Sequence, residues 1–175
     1  MLKIRPFRKG FDEEAYVRIY NAAFGDYDDI RSMTLEEMEK MKKSPSFSSE
    51  GMLIAEWNGE TAGMVSAYVD RFREEKKGFV QNLGVLPKFR RRGIATKLLE
   101  TALESLRKRG MEVAEIWAQT DREGCMHLFE KFGFKQTRIT SIMIRKLDSI
   151  PEANRKNMQL TIRDMRTKEE KEIEL

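Results

Sequence analysis

Leu2-Lys-Ile-Arg-Pro-Phe7 alternates apolar and polar positions, the period of a half-buried strand, and Pro6 confines that strand to a sheet edge. From Asp12 the period becomes helical. Ala15, Ile19, Ala22 and Ala23 recur at spacings of three and four, with Tyr16 and Tyr20 beside them, and Gly25 stops the run. Thr34-Leu-Glu-Glu37 is a capping box that starts a second helix, extending to about residue 43. Apolar runs over 52–57 and 61–69 flank Asn58-Gly59, a tight hairpin signal. A charged turn over 71–77 precedes a strand over 78–86, closed by Pro87. Ile94, Leu98, Leu99, Ala102, Leu103 and Leu106 form the stripe of an amphipathic helix stopped by Gly110. A strand over 113–118 follows, then a helix with Cys125, Leu128, Phe129 and Phe132 on one face, ended by Gly133. Phe134 and residues 139–147 read as two more short strands. This order predicts an α/β (α+β) fold: a mixed, mostly antiparallel sheet with helices on its faces.

Composition narrows the chemistry. The 175 residues suit one ordinary domain with a core of its own. One Cys and one His exclude an internal disulfide, a cysteine-cluster metal site and a two-histidine zinc motif. Cys125 and His127 are two apart, so on one helix they do not face each other as a nucleophile and its base. No metal is expected. Charged residues make up 35%, with both signs interspersed, and 33 Lys+Arg against 29 Asp+Glu leave a net charge of +4. That pattern fits a solvated, salt-bridged surface. No apolar run approaches the roughly 20 residues of a membrane span, and charge stands where a signal peptide needs its apolar centre. A cytoplasmic protein that engages no membrane is the expectation.

Arg90-Arg-Arg-Gly-Ile-Ala95 lies between a strand and a helix start. Helix N-termini carry unpaired N–H groups and a positive dipole end, so they attract anions. Gly93 allows close backbone approach, Ala95 is small, and Lys88, Arg90, Arg91 and Arg92 add four positive charges. A phosphate-rich ligand suits this segment, although a basic helix start on a solvated surface has the same composition. The Gly-Lys-Ser/Thr ending of a Walker loop and two of the three dinucleotide-fingerprint glycines are absent.

The surrounding residues, Asn82 to Leu99, resemble the cofactor motif of the GNAT (general N-acetyltransferase) superfamily: Gln/Arg-x-x-Gly-x-Gly/Ala, here Arg90, Gly93 and Ala95, after a strand ending Val-x-Pro. Leu128-Phe-Glu-Lys-Phe-Gly-Phe134 resembles the family's second motif, Leu-Tyr-Glu-Lys-x-Gly-Phe. The resemblance covers residues 2–147 and implies a splayed sheet that clasps acetyl-CoA. Backbone N–H groups of Arg91, Arg92, Gly93, Ile94, Ala95 and Thr96 hold the pyrophosphate in this reading. Leu83 and Val85, on a bulged strand, pair with the pantetheine like an added strand, and the Val85 N–H polarises the thioester carbonyl. Arg90 and Phe129 complete the cofactor-contacting set. An amine of a small molecule or peptide then attacks the acetyl group directly, with no covalent enzyme intermediate.

Two departures from the pattern bear on catalysis. The family's usual general acid is the Tyr of the second motif, here Phe129, and the Asn common seven residues earlier is Arg122. Tyr68, Asp121 and Cys125 are candidate substitutes, with plainer readings as strand packing, a helix cap and a small core residue. Phe129 equally suits a non-catalytic acyl-CoA-binding or regulatory domain. Nucleic-acid binding through residues 88–92 ranks below both, because the patch is short and coincides with the pyrophosphate segment. The acidic loop Asp26, Asp28 and Asp29 would attract a cationic acceptor amine, or be an ordinary solvated loop. Finally, Leu160-Thr-Ile-Arg-Asp-Met-Arg166 repeats Leu2-Lys-Ile-Arg-Pro-Phe-Arg8 with Leu, Ile and both Arg identical. Residues 1–147 are thus expected to be one domain. Residues 148–175 are a linker followed by the start of a second GNAT-like domain, or by an extra strand pairing within its own sheet or with a second copy in a homodimer.

Overall fold

The computed structural model describes residues 1–27, 30–44, 47–69, 75–141 and 143. The chain divides into two units, 1–135 and 136–175, and the elements below belong to the first. They are β1 (Leu2–Pro6), α1 (Glu13–Phe24), α2 (Leu35–Lys42), β2 (Met52–Trp57), β3 (Glu60–Val69), β4 (Lys77–Val85), a 3-10 turn (Pro87–Phe89), α3 (Ile94–Lys108), β5 (Val113–Ile116) and α4 (Glu123–Lys131).

The strands form one sheet in the order β1-β2-β3-β4-β5. The first three pairings are antiparallel and β4–β5 is parallel, with α3 as the crossover. Asn58 and Gly59 both take positive φ in the β2–β3 turn, as a two-residue hairpin requires. The predicted capping box is present: the Glu37 N–H donates to Thr34 Oγ1 and the Glu37 carboxylate accepts from the Thr34 N–H.

Helices cover both faces of the sheet. A Cβ on Gly63 would stand 3.1 Å from Leu98 of α3, whereas one on Gly84, paired with the neighbouring Met64, would stand 2.8 Å from the Ala23 Cβ of α1. Adjacent strand residues face opposite ways, so α1 and α3 lie on opposite faces. Ile94, Leu98, Leu99, Ala102 and Leu106 of α3 are buried, as their stripe predicts. Burial of each large side chain contributes about 1.5–3 kcal/mol. The α1 stripe is displaced from its predicted register. Tyr16, Ile19 and Ala23 are its buried apolar residues, and Ala15 and Ala22 are half-buried or exposed. The larger phenol ring takes the core position because it removes more apolar area from water.

Three element ends differ from the sequence reading. β5 stops at Ile116 rather than 118, leaving Trp117 75% exposed. The expected strand at Phe134 does not form: Gly133 has φ 81°, and Phe134 instead sets its ring edge-on to Phe129 at 6.0 Å. Residues 139–141 are likewise in no strand. The rest of that predicted strand, the repeat at 160–166, and Asp28 and Asp29 lie outside the described residues.

Candidate active site

β4 carries the feature on which the site is built. Met64 pairs with Gly84 and Ser66 with Gln81, so β4 spends one extra residue there. Asn82, at φ 54°, absorbs the bulge, and its amide donates to the buried Tyr16 hydroxyl at 3.0 Å. The extra residue inverts the faces: Gly78 faces α3 before the bulge, and after it Val85 faces α3 while Gly84 faces α1.

The same strand loses its outer partner. β5 pairs with β4 only from Lys77 to Val80, so beyond Val80 the two strands part. The Leu86 N–H donates inward to the Ala62 carbonyl at 2.9 Å. Strand alternation therefore turns the Val85 N–H outward, toward the gap. The Val85 carbonyl points the same way and accepts from Arg90 Nε at 3.2 Å. Leu83, two residues back on the same edge, is half-buried.

From that edge the chain passes through the 3-10 turn into the start of α3. Arg91 has φ 62° and Gly93 φ 75°, two left-handed residues that wrap the backbone around the helix end. Gly93 is the N-cap and offers no side-chain cap. The first backbone bond within α3 runs from the Lys97 N–H to the Gly93 carbonyl, so the Ile94, Ala95 and Thr96 N–H groups precede it. Nothing lies within 4 Å of where a Cβ would stand on Gly93. This end of α3 thus fits a diphosphate: open space, free donors and a positive dipole end coincide.

The four nearby cations do not all point there. Lys88 pairs with Glu60 on β3, and the Arg92 guanidinium carbon lies 5.4 Å from the centre of the Trp57 ring. Both lean on the β2–β3 hairpin. Arg90 reaches back to Val85, and Arg91 has no ion-pair partner among the described residues.

After β5 the chain enters α4. Phe129, where the family pattern has Tyr, is 7% exposed and is the buried residue of this helix. Cys125 is half-buried and burial pushes its thiol up, against the opposing charges of Arg122 and Arg90. That thiol therefore feels two guanidinium charges. Asp121 is exposed and caps nothing: the N-cap of α4 is Arg122, with no side-chain cap bond. Tyr68 stacks on Phe79 at 6.0 Å and pairs with it across the strands, six residues along β4 from Val85. At a strand's rise that is about 17–20 Å away. His127 is exposed.

The Asp26 carboxylate, expected either to attract a cationic acceptor or to belong to an ordinary solvated loop, is paired with Arg122. Arg122 Nη1 lies 3.2 Å from Asp26 Oδ2, and Nη2 donates to the Asp26 carbonyl at 3.0 Å. The Arg122 guanidinium also covers the Tyr27 ring, with its central carbon 4.2 Å from the centroid. Sequence reasoning noted Arg122 only as a departure from the family pattern and passed over Tyr27. The substitution at Arg122 was visible, but its partner 95 residues earlier carried no local pattern.

A family model described as Acetyltransferase (GNAT) family matches residues 14–134, most of the chain and both motifs. The chain belongs to the GNAT acetyltransferase family. This GNAT chain is 28% identical over 131 residues to a mycothiol acetyltransferase of Streptomyces griseus, covering 75% of this chain and 42% of that protein. It spans about half the length, or less, of the curated relatives it matches. Among solved structures, the ribosomal-protein-S18-alanine N-acetyltransferase of Escherichia coli superposes with a TM-score of 0.64 at 19% identity, covering 79% of this chain and 80% of that one. A GNAT family acetyltransferase of Brucella melitensis, in complex with acetyl-CoA, gives 0.63 at 21% identity, over 78% and 84%. The five-stranded mixed sheet with four flanking helices is the fold these enzymes share. Among the described residues no helix is long and apolar enough to cross a membrane.

Proposed function

We propose that this chain is an N-acetyltransferase that takes acetyl-CoA as co-substrate and passes the acetyl group directly to an amine. The observation that carries the reading is the continuity of the outward β4 edge at Val85 with the uncapped start of α3 at Gly93. A pantetheine arm on the first and a diphosphate on the second span one ligand. Leu83 and Val85 supply the edge groups, and the N–H groups of residues 91–96 the diphosphate donors. In this reading the Val85 N–H polarises a thioester carbonyl, which favours attack by a neutral amine. The acceptor class is a primary amine of a small molecule, in keeping with the mycothiol acetyltransferase relatives. Cytoplasmic residence follows as part of the same reading.

A second reading, an acyl-CoA-binding domain without turnover, is favoured by Phe129, which has no proton to give. Thermal denaturation with and without CoA, followed by thiol release over an amine panel, separates the two. Stabilisation with turnover supports the enzyme, stabilisation without turnover supports the binding domain, and no stabilisation overturns both. We also propose that Leu160–Arg166 opens a second GNAT-like unit in a longer protein, since it repeats Leu2–Arg8 and the relatives are about twice as long. A reading frame that stops after Leu175 overturns this.

A further inference from the structure

Two substitutions against the family pattern lie at α4: Arg122, its N-cap, and Phe129, its buried residue. Arg122 is tied by three contacts to the loop after α1: the ion pair and the carbonyl bond to Asp26, and the face of Tyr27 at 4.2 Å. A further group on this side chain, its Nε, is buried with no hydrogen-bond partner among the described residues. Tyr27 is in turn anchored to α1. Its N–H donates to the Phe24 carbonyl at 3.0 Å, and the two rings meet edge-on at 5.5 Å. The Phe24 ring lies 3.6 Å from where a Cβ on Gly84 would stand. Phe24 thus lies between the Tyr27 ring and the α1-facing side of β4 at Gly84.

The chain has four tyrosines. Tyr16 is fully buried with its hydroxyl bonded to Asn82 and near Ser66. Tyr20 stands near Arg31 and Glu37. Tyr68 is at the other end of β4. Tyr27 alone neighbours α4 at Arg122, and its hydroxyl has no hydrogen-bond partner among the described residues.

We propose that Tyr27 donates the proton to the departing CoA sulfur, replacing the hydroxyl that Phe129 lacks, and that Arg122 is its positioning residue. The proposal rests on the acetyltransferase reading. The amine nitrogen bonds to the acetyl carbon, the carbon–sulfur bond breaks with its electron pair going to sulfur, and Tyr27 Oη–H protonates that sulfur. The phenolate regains a proton from the acetylated nitrogen, which carries one in surplus, so only amine and acetyl-CoA are consumed. The phenol suits an acid. Burial raises it above the ordinary tyrosine range, as do Cys125, Asp26 and Asp121, against the lowering charge of Arg122. It therefore holds its proton throughout the neutral range.

Four variants test this. Tyr27→Phe is expected to keep CoA binding and lose about 10²-fold in kcat, the range of one general acid. Adding Phe129→Tyr to that variant is expected to recover part of the loss. With a trifluorinated tyrosine at position 27, a new alkaline limb is expected to enter the neutral pH range. Arg122→Gln in that background shifts the limb upward by removing the charge that lowers the phenol. A fluorine resonance at the same position, read without turnover, is expected to move when CoA is added. Unchanged kcat in Tyr27→Phe, an unmoved limb or an unmoved resonance overturns the proposal while leaving the acetyltransferase reading intact. A wild-type chain that binds CoA and acetylates no amine overturns both.

Discussion

Arg91 holds φ 62° although it is not glycine, a conformation that costs an ordinary side chain about 1–2 kcal/mol. It is exposed at the entry to α3, beside the open space at Gly93. A left-handed arginine with no ion-pair partner among the described residues fits a residue kept for a ligand at the expense of stability. Arg91→Gly relieves the strain and removes the charge. We expect urea unfolding to report about 0.5 kcal/mol more stability, after the entropy glycine adds to the unfolded chain. Calorimetric titration should show weaker CoA binding. A variant that is both more stable and equally avid would mean that Arg91 does not serve the diphosphate. Arg91 and Gly93 were singled out by sequence. The reach of Arg90 to Val85, the tilt of Arg92 onto Trp57 and the cover of Arg122 over Tyr27 were not, because each joins residues whose spacing has no period.

At the scale of elements, most of the molecule was legible. The stripe of α3, the capping box of α2 and the Asn58-Gly59 hairpin each encode their own geometry within a few residues. The bulge in β4 is different. Its presence depends on the register with β3, and its consequence is that Gly84 faces α1. Gly84→Val places a side chain where even a Cβ would meet Ala23 at 2.8 Å. Overpacking of this kind costs about 1–3 kcal/mol, so the denaturation midpoint should fall with the slope unchanged. CoA binding should fall further than stability, because α1 and β4 would separate beside Val85. Equal loss in Gly63→Val, which faces α3 on the opposite side of the sheet, would show the effect to be general rather than local.

The first unit is closed at its N-terminal end by a buried ionic cluster. Arg5 of β1 donates to both carboxylate oxygens of Asp12, at 2.6 and 2.8 Å, and to Glu56 of β2 at 2.6 Å. Asp12 also accepts the Arg8 N–H at 2.6 Å and is only 3% exposed. Burial pushes its carboxyl up, but the Arg5 hydrogen bonds, the Arg8 N–H and the Arg5 charge outweigh it and leave it below the ordinary 3.8. A depressed carboxylate contributes stability above its unfolded value and loses it as pH falls through its folded value. Asp12→Asn should therefore cost about 1.5–3 kcal/mol at neutral pH, since it takes from Arg5 one of its two carboxylate partners and leaves Glu56. The difference from wild type should shrink below about pH 4. Thermal unfolding across pH 2–7 reads both, and a loss independent of pH would mean that shape rather than charge matters at Asp12.

What the sequence determined by itself is local: helices from stripes three and four apart, a hairpin from Asn-Gly, and a helix start at Gly93 among basic neighbours. The family motifs then implied a sheet that splays. Tertiary structure decided where β5 leaves β4, which face each residue of β4 takes past its bulge, and which side chain meets Arg122. It also withheld the strand expected at Phe134, whose ring found Phe129 instead. Periodicity reports only a residue's own helix or strand. Pairing ends, bulge phase and long-range contacts are settled by partners far along the chain, which compete for the same surface once the chain has folded.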